Sequence, residues 1–159
     1  MSSEEVNEFG VSMEALERYS KSFNKSETLA FFNTRVEFPD VYRVQAIIDE
    51  LKSGHMGGMG KMAAVNGGVL AALYDLVVGC SAALVDPARR SATIQLSMNF
   101  ERPVTGDEII AEATVDRAGK TLVFSSARIL DGQGRVCSHG QGVVRMSKRG
   151  WDNGSPAVN

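Results

Sequence analysis

Asn66-Gly67-Gly68-Val69-Leu70-Ala71-Ala72-Leu73-Tyr74-Asp75-Leu76-Val77-Val78-Gly79-Cys80-Ser81-Ala82-Ala83-Leu84 is the stretch on which the fold turns. From Val69 onward it is the most apolar run of the chain. It is long for a strand, rich in Ala and Leu and free of Pro, which predicts a buried helix opening at Asn-Gly-Gly. Asp75 stands alone in it. A carboxylate is seldom buried without partners, because its charge is costly to remove from water unless paired or hydrogen-bonded. Stepping by four through Ala71, Asp75, Gly79 and Ala83 gives a stripe of small residues, with Leu70, Leu73, Val77 and Leu84 on other faces. The acid therefore stands in a groove that a backbone or a thin substrate can approach. A structural carboxylate would cap the first turn, whereas Asp75 lies about two turns in, so its partners must come from elsewhere and a functional role is favoured.

Before this helix, Ser12 is placed to cap a helix running to about Asn24, with Met13, Leu16 and Phe23 facing a core. Residues 1–10 are polar and acidic and are expected to fray. Strand character over 36–38 and 44–48, broken by Pro39-Asp40, predicts a hairpin with its turn there. The glycine-dense loop 54–60 fits neither a phosphate loop, since Gly60-Lys61 is followed by Met62, nor a dinucleotide fingerprint, since no βαβ units follow. After the helix, 92–101, 108–117, 121–130 and 135–146 read as four successive strands. In the first, Ala92, Ile94, Leu96, Met98 and Phe100 alternate with Thr93, Gln95, Ser97 and Asn99. Ala118-Gly119 and Asp131-Gly132-Gln133-Gly134 read as hairpin turns. The expectation is an α+β domain, a mainly antiparallel sheet wrapped around a long central helix. It is divided into an N-terminal extension with a helix (1–24), the main domain (25–147) and a flexible tail (148–159) in which Trp151 is a docking contact.

With 159 residues and a formal charge of −2, the chain fits one domain with a real core. The absence of a basic run with interleaved aromatics argues against nucleic acid. The apolar run carries an acid and falls short of a typical ~20-residue span, so no membrane partner is expected. Two sparse cysteines, Cys80 and Cys137, suggest reduced thiols in a cytoplasmic setting, each a small hydrophobe with no activating neighbour in sequence. His55 and His139 are assigned structural roles, and no spacing of His, Cys and acids suggests a metal site.

Asn66-Gly67-Gly68, Asp75 eight residues after Gly67, Asn99-Phe100-Glu101-Arg102-Pro103, Gly106, Gly119-Lys120 and Asp131-Gly132, in this order, resemble the hotdog fold and specifically its PaaI-like acyl-CoA thioesterases. The similarity spans roughly 33–147. Where that family carries a histidine before Gly-Gly, this chain has Asn66, which can donate a hydrogen bond but carries no proton. The resemblance implies hydrolysis of an acyl-CoA thioester without metal or cofactor, coenzyme A being part of the substrate. Asp75 would be general base or nucleophile, and the free N–H groups of Gly67 and Gly68, at the positive helix end, would polarise the carbonyl. Thr93 matches a family hydroxyl beside the carboxylate. Asn99 and Arg102 are candidates for the substrate entrance, and Lys61, Arg89, Arg90 and Lys120 for coenzyme A phosphates. Gly67 and Asp75 lie ~12 Å apart along one helix, too far to share a carbonyl carbon. The expectation is thus a homodimer with shared active sites, and the family resemblance further implies a dimer of dimers. A non-catalytic acyl-CoA-binding module and a dehydratase using His55 or His139 are the competing readings.

Overall fold

The computed structural model describes residues 5–57 and 64–150; Lys61 and Trp151 lie outside them. Helix α1 (Met13–Phe23) starts where the sequence predicts, with the Ser12 hydroxyl accepting from the Ala15 N–H, and it buries Leu16 against strand β1. A short α2 (Glu27–Phe31) follows. The polar lead is not frayed over its described part. Val6 bridges Ser12, and the buried Asn7 side chain donates to the carbonyls of Val41 and Leu84 while accepting from the N–H groups of Phe9 and Val11. One fully bonded amide anchors the segment to two distant elements, a contact that no local pattern encodes.

Strands β1 (Arg35–Asp40) and β2 (Arg43–Ile48) form the expected hairpin, but the turn falls at Val41-Tyr42. Pro39 stays inside β1, which lies at the sheet edge, where a missing N–H breaks no ladder. In the described part of the glycine-dense loop, a 3-10 turn (Ser53–His55) leads into β3 (Met56–Gly57), paired with β4 (Ala64–Val65). His55 is buried there. Its Nδ1 accepts from the Lys52 N–H, so Nε2 carries the proton and donates to the Phe32 carbonyl.

Helix α3 (Gly67–Ser81) is followed by β5 (Arg89–Phe100), β6 (Ile109–Ala118), β7 (Leu122–Leu130) and β8 (Val136–Gly150). The large sheet is antiparallel with order β1-β2-β6-β7-β8-β5. The four predicted strands are thus not all neighbours in sequence order. β6, β7 and β8 are, but β5 crosses over to pair with β8 and becomes the other edge.

Val69, Leu70, Leu73, Tyr74, Val77 and Val78 bury one face of α3 against the sheet. Two glycines permit the close approach. A Cβ on Gly140 would lie 2.7 Å from the Tyr74 ring, and one on Gly142 2.7 Å from Val78. Successive helix turns therefore rest on alternate residues of β8, since four helical residues and two strand residues both advance ~6 Å. The Tyr74 hydroxyl donates to Ser138 Oγ at 2.8 Å, which in turn donates to the Asn99 carbonyl at 2.7 Å, tying α3 to both strands.

Candidate active site

Asn66 caps α3: its Oδ1 accepts from the Gly68 N–H at 2.8 Å. This corrects one expectation, because the Gly68 donor is already used inside the protomer and is not available to a substrate. With Oδ1 taken up by the cap, Asn66 keeps its Nδ2 group as a hydrogen-bond donor. A Cβ on Gly68 would crowd Asn66 Oδ1 at 3.0 Å, so the missing side chain is what lets the cap fold back. The Phe100 ring, half exposed, stands 3.8 Å from where a Gly67 side chain would begin.

Asp75 is exposed in the protomer, not buried as the surrounding apolar run implies. The run hides this because α3 is apolar on nearly all sides while only one of them faces the sheet. The small-residue stripe is the opposite side. Asp75 does stand in a groove, a half-open cleft of about 350 Å³ between α3, β5 and α1. Leu76, Gly79 and Cys80 extend from it along the helix, Ser91, Ala92 and Thr93 form the strand wall, and Tyr19 and Phe23 the third side.

Simple alternation puts Thr93 on the polar face of its strand, yet it lines this cleft. A bulge decides the matter: Thr93 pairs with Val144 and Gln95 with Val143, so Ile94 is an extra residue. Ser91 and Thr93 therefore turn toward α3, where Ser91 Oγ donates to the Gly79 carbonyl and a Cβ on Gly79 would meet Thr93 Oγ1 at 3.3 Å. Leu96 and Met98 resume the inward set beyond the bulge, while Ile94 is left 57 % exposed.

Other predicted residues lie elsewhere. Asn99, Arg102 and Lys120 do not line the Asp75 cleft. Asn99 is exposed on β5, Arg102 follows it with its N–H on the Cys137 carbonyl, and Lys120 borders a separate groove with Arg117, Leu122 and Phe124. Arg89 is committed to structure, donating to the carbonyls of Ser147, Lys120 and Met146. Cys80 is no nucleophile: burial pushes its thiol up to about 12, against a hydrogen bond from the Tyr19 hydroxyl, with the Asp75 charge adding to the rise. Burial likewise holds the Cys137 thiol above its usual value. His139 is exposed on the outer sheet face beside Glu101 at 2.9 Å, away from the cleft. Sequence reasoning missed Tyr19, Phe23 and Ser91, whose only signal was apolar or strand periodicity.

Residues 62–138 match the family model described as Thioesterase superfamily. The chain is similar to a candidate esterase of Thermoplasma acidophilum (26 % identity over 50 % of this chain and 60 % of that one) and to another of Thermoplasma volcanium (28 %, over 50 % and 59 %). It thus spans about three fifths of the length of these curated relatives. Among solved structures it resembles a Shewanella oneidensis protein related to the thioesterase superfamily, with TM-score 0.74 and 20 % identity over 84 % of this chain and 96 % of that one. It also resembles the Escherichia coli PaaI protein from the phenylacetic acid degradation operon, with TM-score 0.72 and 13 % identity over 86 % and 98 %. By its architecture this chain has the hotdog fold that it shares with these solved structures, and its residues 62–138 are similar to the thioesterase superfamily.

Proposed function

We propose that this protein hydrolyses acyl-CoA thioesters, with Asp75 as the chemical centre. The observation that carries the reading is the placement of Asp75, exposed, at a cleft that Thr93 also lines and whose remaining walls are largely apolar. The segment matched to the thioesterase family contains both residues, and the esterase names of the relatives support the same class of reaction. As a general base, Asp75 takes a proton from water as the water oxygen adds to the thioester carbon. The tetrahedral oxyanion is held by the Gly67 N–H and Asn66 Nδ2, and collapse expels the thiolate, which recovers the proton. As a nucleophile, Asp75 itself adds, expels the thiolate and leaves a mixed anhydride for water to cleave.

Neither Gly67 nor Asn66 lines the Asp75 cleft, and along the helix they stand ~12 Å from it. The proposed active unit is therefore a homodimer in which α3 of one protomer offers its N-terminus to the Asp75 of its partner. The free edge of β5, with Ile94 and Phe100 exposed, supports a pairing surface there. Because Asp75 is exposed in the protomer, its charge carries little desolvation cost there, which favours as second reading an acyl-CoA-binding module without turnover.

Free-thiol release from a panel of acyl-CoAs, comparing wild type with Asp75→Ala, decides between them. A loss of about a hundredfold or more in a folded variant supports the hydrolase. Acyl-CoA binding with no thiol release from either protein replaces it with the binding module.

A further inference from the structure

α1 lies outside the segment that matches the thioesterase family, yet it supplies a wall of the Asp75 cleft. Tyr19 and Phe23, one turn apart, stack with ring centroids 5.7 Å apart and planes inclined by 10°. The Tyr19 ring also meets Phe38 of β1 edge-on at 6.0 Å, and its hydroxyl reaches Cys80 Sγ at 3.8 Å. The pair is thus braced from β1 on one side and α3 on the other. Rings held in this way form a rigid stop, because moving either one disturbs a stacked neighbour and a buried core contact. The cleft, at about 350 Å³, is near the small end of the ~300–1,000 Å³ range of ligand pockets.

We propose that Tyr19 and Phe23 are specificity-determining residues that set the length of the acyl group, restricting the site to short acyl thioesters whose tail ends against their rings. This rests on the hydrolase reading. With the thioester carbon over Asp75, the acyl part enters between Leu76 and Cys80 on α3 and the Ser91–Thr93 wall of β5, and α1 closes the path. The selectivity follows from volume: each methylene admitted or refused by an apolar pocket changes discrimination by ~10–200-fold.

The test measures kcat/KM for straight-chain acyl-CoAs from acetyl to dodecanoyl, in wild type, Phe23→Ala and Phe23→Trp. Wild type prefers the short members. Phe23→Ala opens the stop and raises the ratio of long-chain to short-chain kcat/KM by about tenfold or more, whereas Phe23→Trp lowers the longest chain accepted. The Trp variant keeps an aromatic ring against Tyr19, so it reports even if Phe23→Ala fails to fold. Folded variants with the wild-type length profile overturn the assignment. If wild type releases thiol from no member, the hydrolase reading fails instead. The dissociation constants of the same acyl-CoAs then judge the wall, and an affinity profile unmoved by either substitution overturns it.

Discussion

Asp75 and Asn66 show how far a single residue's meaning depends on its surroundings. Asp75 was conspicuous because of its apolar neighbours, and the structure keeps its prominence while reversing the reason: it is exposed at a cleft, not buried beneath a core. Asn66 caps α3 through Oδ1, and in the proposed reaction it has a separable second duty, offering Nδ2 to a carbonyl. Asn66→Asp keeps the cap and removes the donor, so it should melt near wild type while thiol release falls by ~10²–10³-fold. Asn66→Ala removes both and should also lose ~0.5–2 kcal/mol of stability in a denaturant titration. Equal activity in the Asp variant would remove Asn66 from the reaction.

At the scale of elements, the seam between α3 and β8 is built on absent side chains. Tyr74 over Gly140 and Val78 over Gly142 leave no room for a methyl group, so Gly140→Ala should overpack the seam at a cost of ~1–3 kcal/mol, read as a lower melting temperature. An unchanged melt would mean that α3 lifts without penalty. The bulge at Ile94 in β5 is the other decisive element. It turns Thr93 inward and leaves Ile94 on the free sheet edge, the surface proposed for pairing. Ile94→Lys should shift the mass in multi-angle light scattering from dimer toward the 17.1 kDa protomer and reduce thiol release in parallel. An active wild-type monomer would end the shared-site proposal.

Across the whole molecule, the outer face of the sheet carries a buried charge that steadies three strands. Glu112 on β6 is only 6 % exposed. Burial pushes its carboxyl up, but hydrogen bonds from Gln45 and Arg128, with the charges of Arg128 and Arg43, outweigh this and hold it below its usual value. A lowered folded value means the stabilisation is complete above the ordinary value of 4.5 and is lost as pH falls through the folded one. Melting temperature should therefore drop in that acidic window. Glu112→Gln, which carries no titrating carboxyl, should flatten this part of the profile while lowering stability at neutral pH, since Arg128 and Arg43 lose their partner.

The sequence alone determined the main elements and the fold class, but not the short α2, β3 and β4. The apolar run with its Asn-Gly-Gly opening defines α3, Ser12 starts α1, and alternation marks the strands, because capping and periodicity are local properties of the chain. The motifs from Asn66 to Arg102 resemble those of PaaI-like thioesterases in order and spacing. Only the tertiary structure decided that β5 leaves its neighbours in sequence to pair with β8 and that a bulge turns Thr93 into the Asp75 cleft. It also showed that Gly68 already spends its N–H on Asn66, and that α1 brings Tyr19 and Phe23 to the cleft. These depend on which surfaces meet across long sequence separations, and a helix apolar on nearly every side does not announce which side the sheet will leave open.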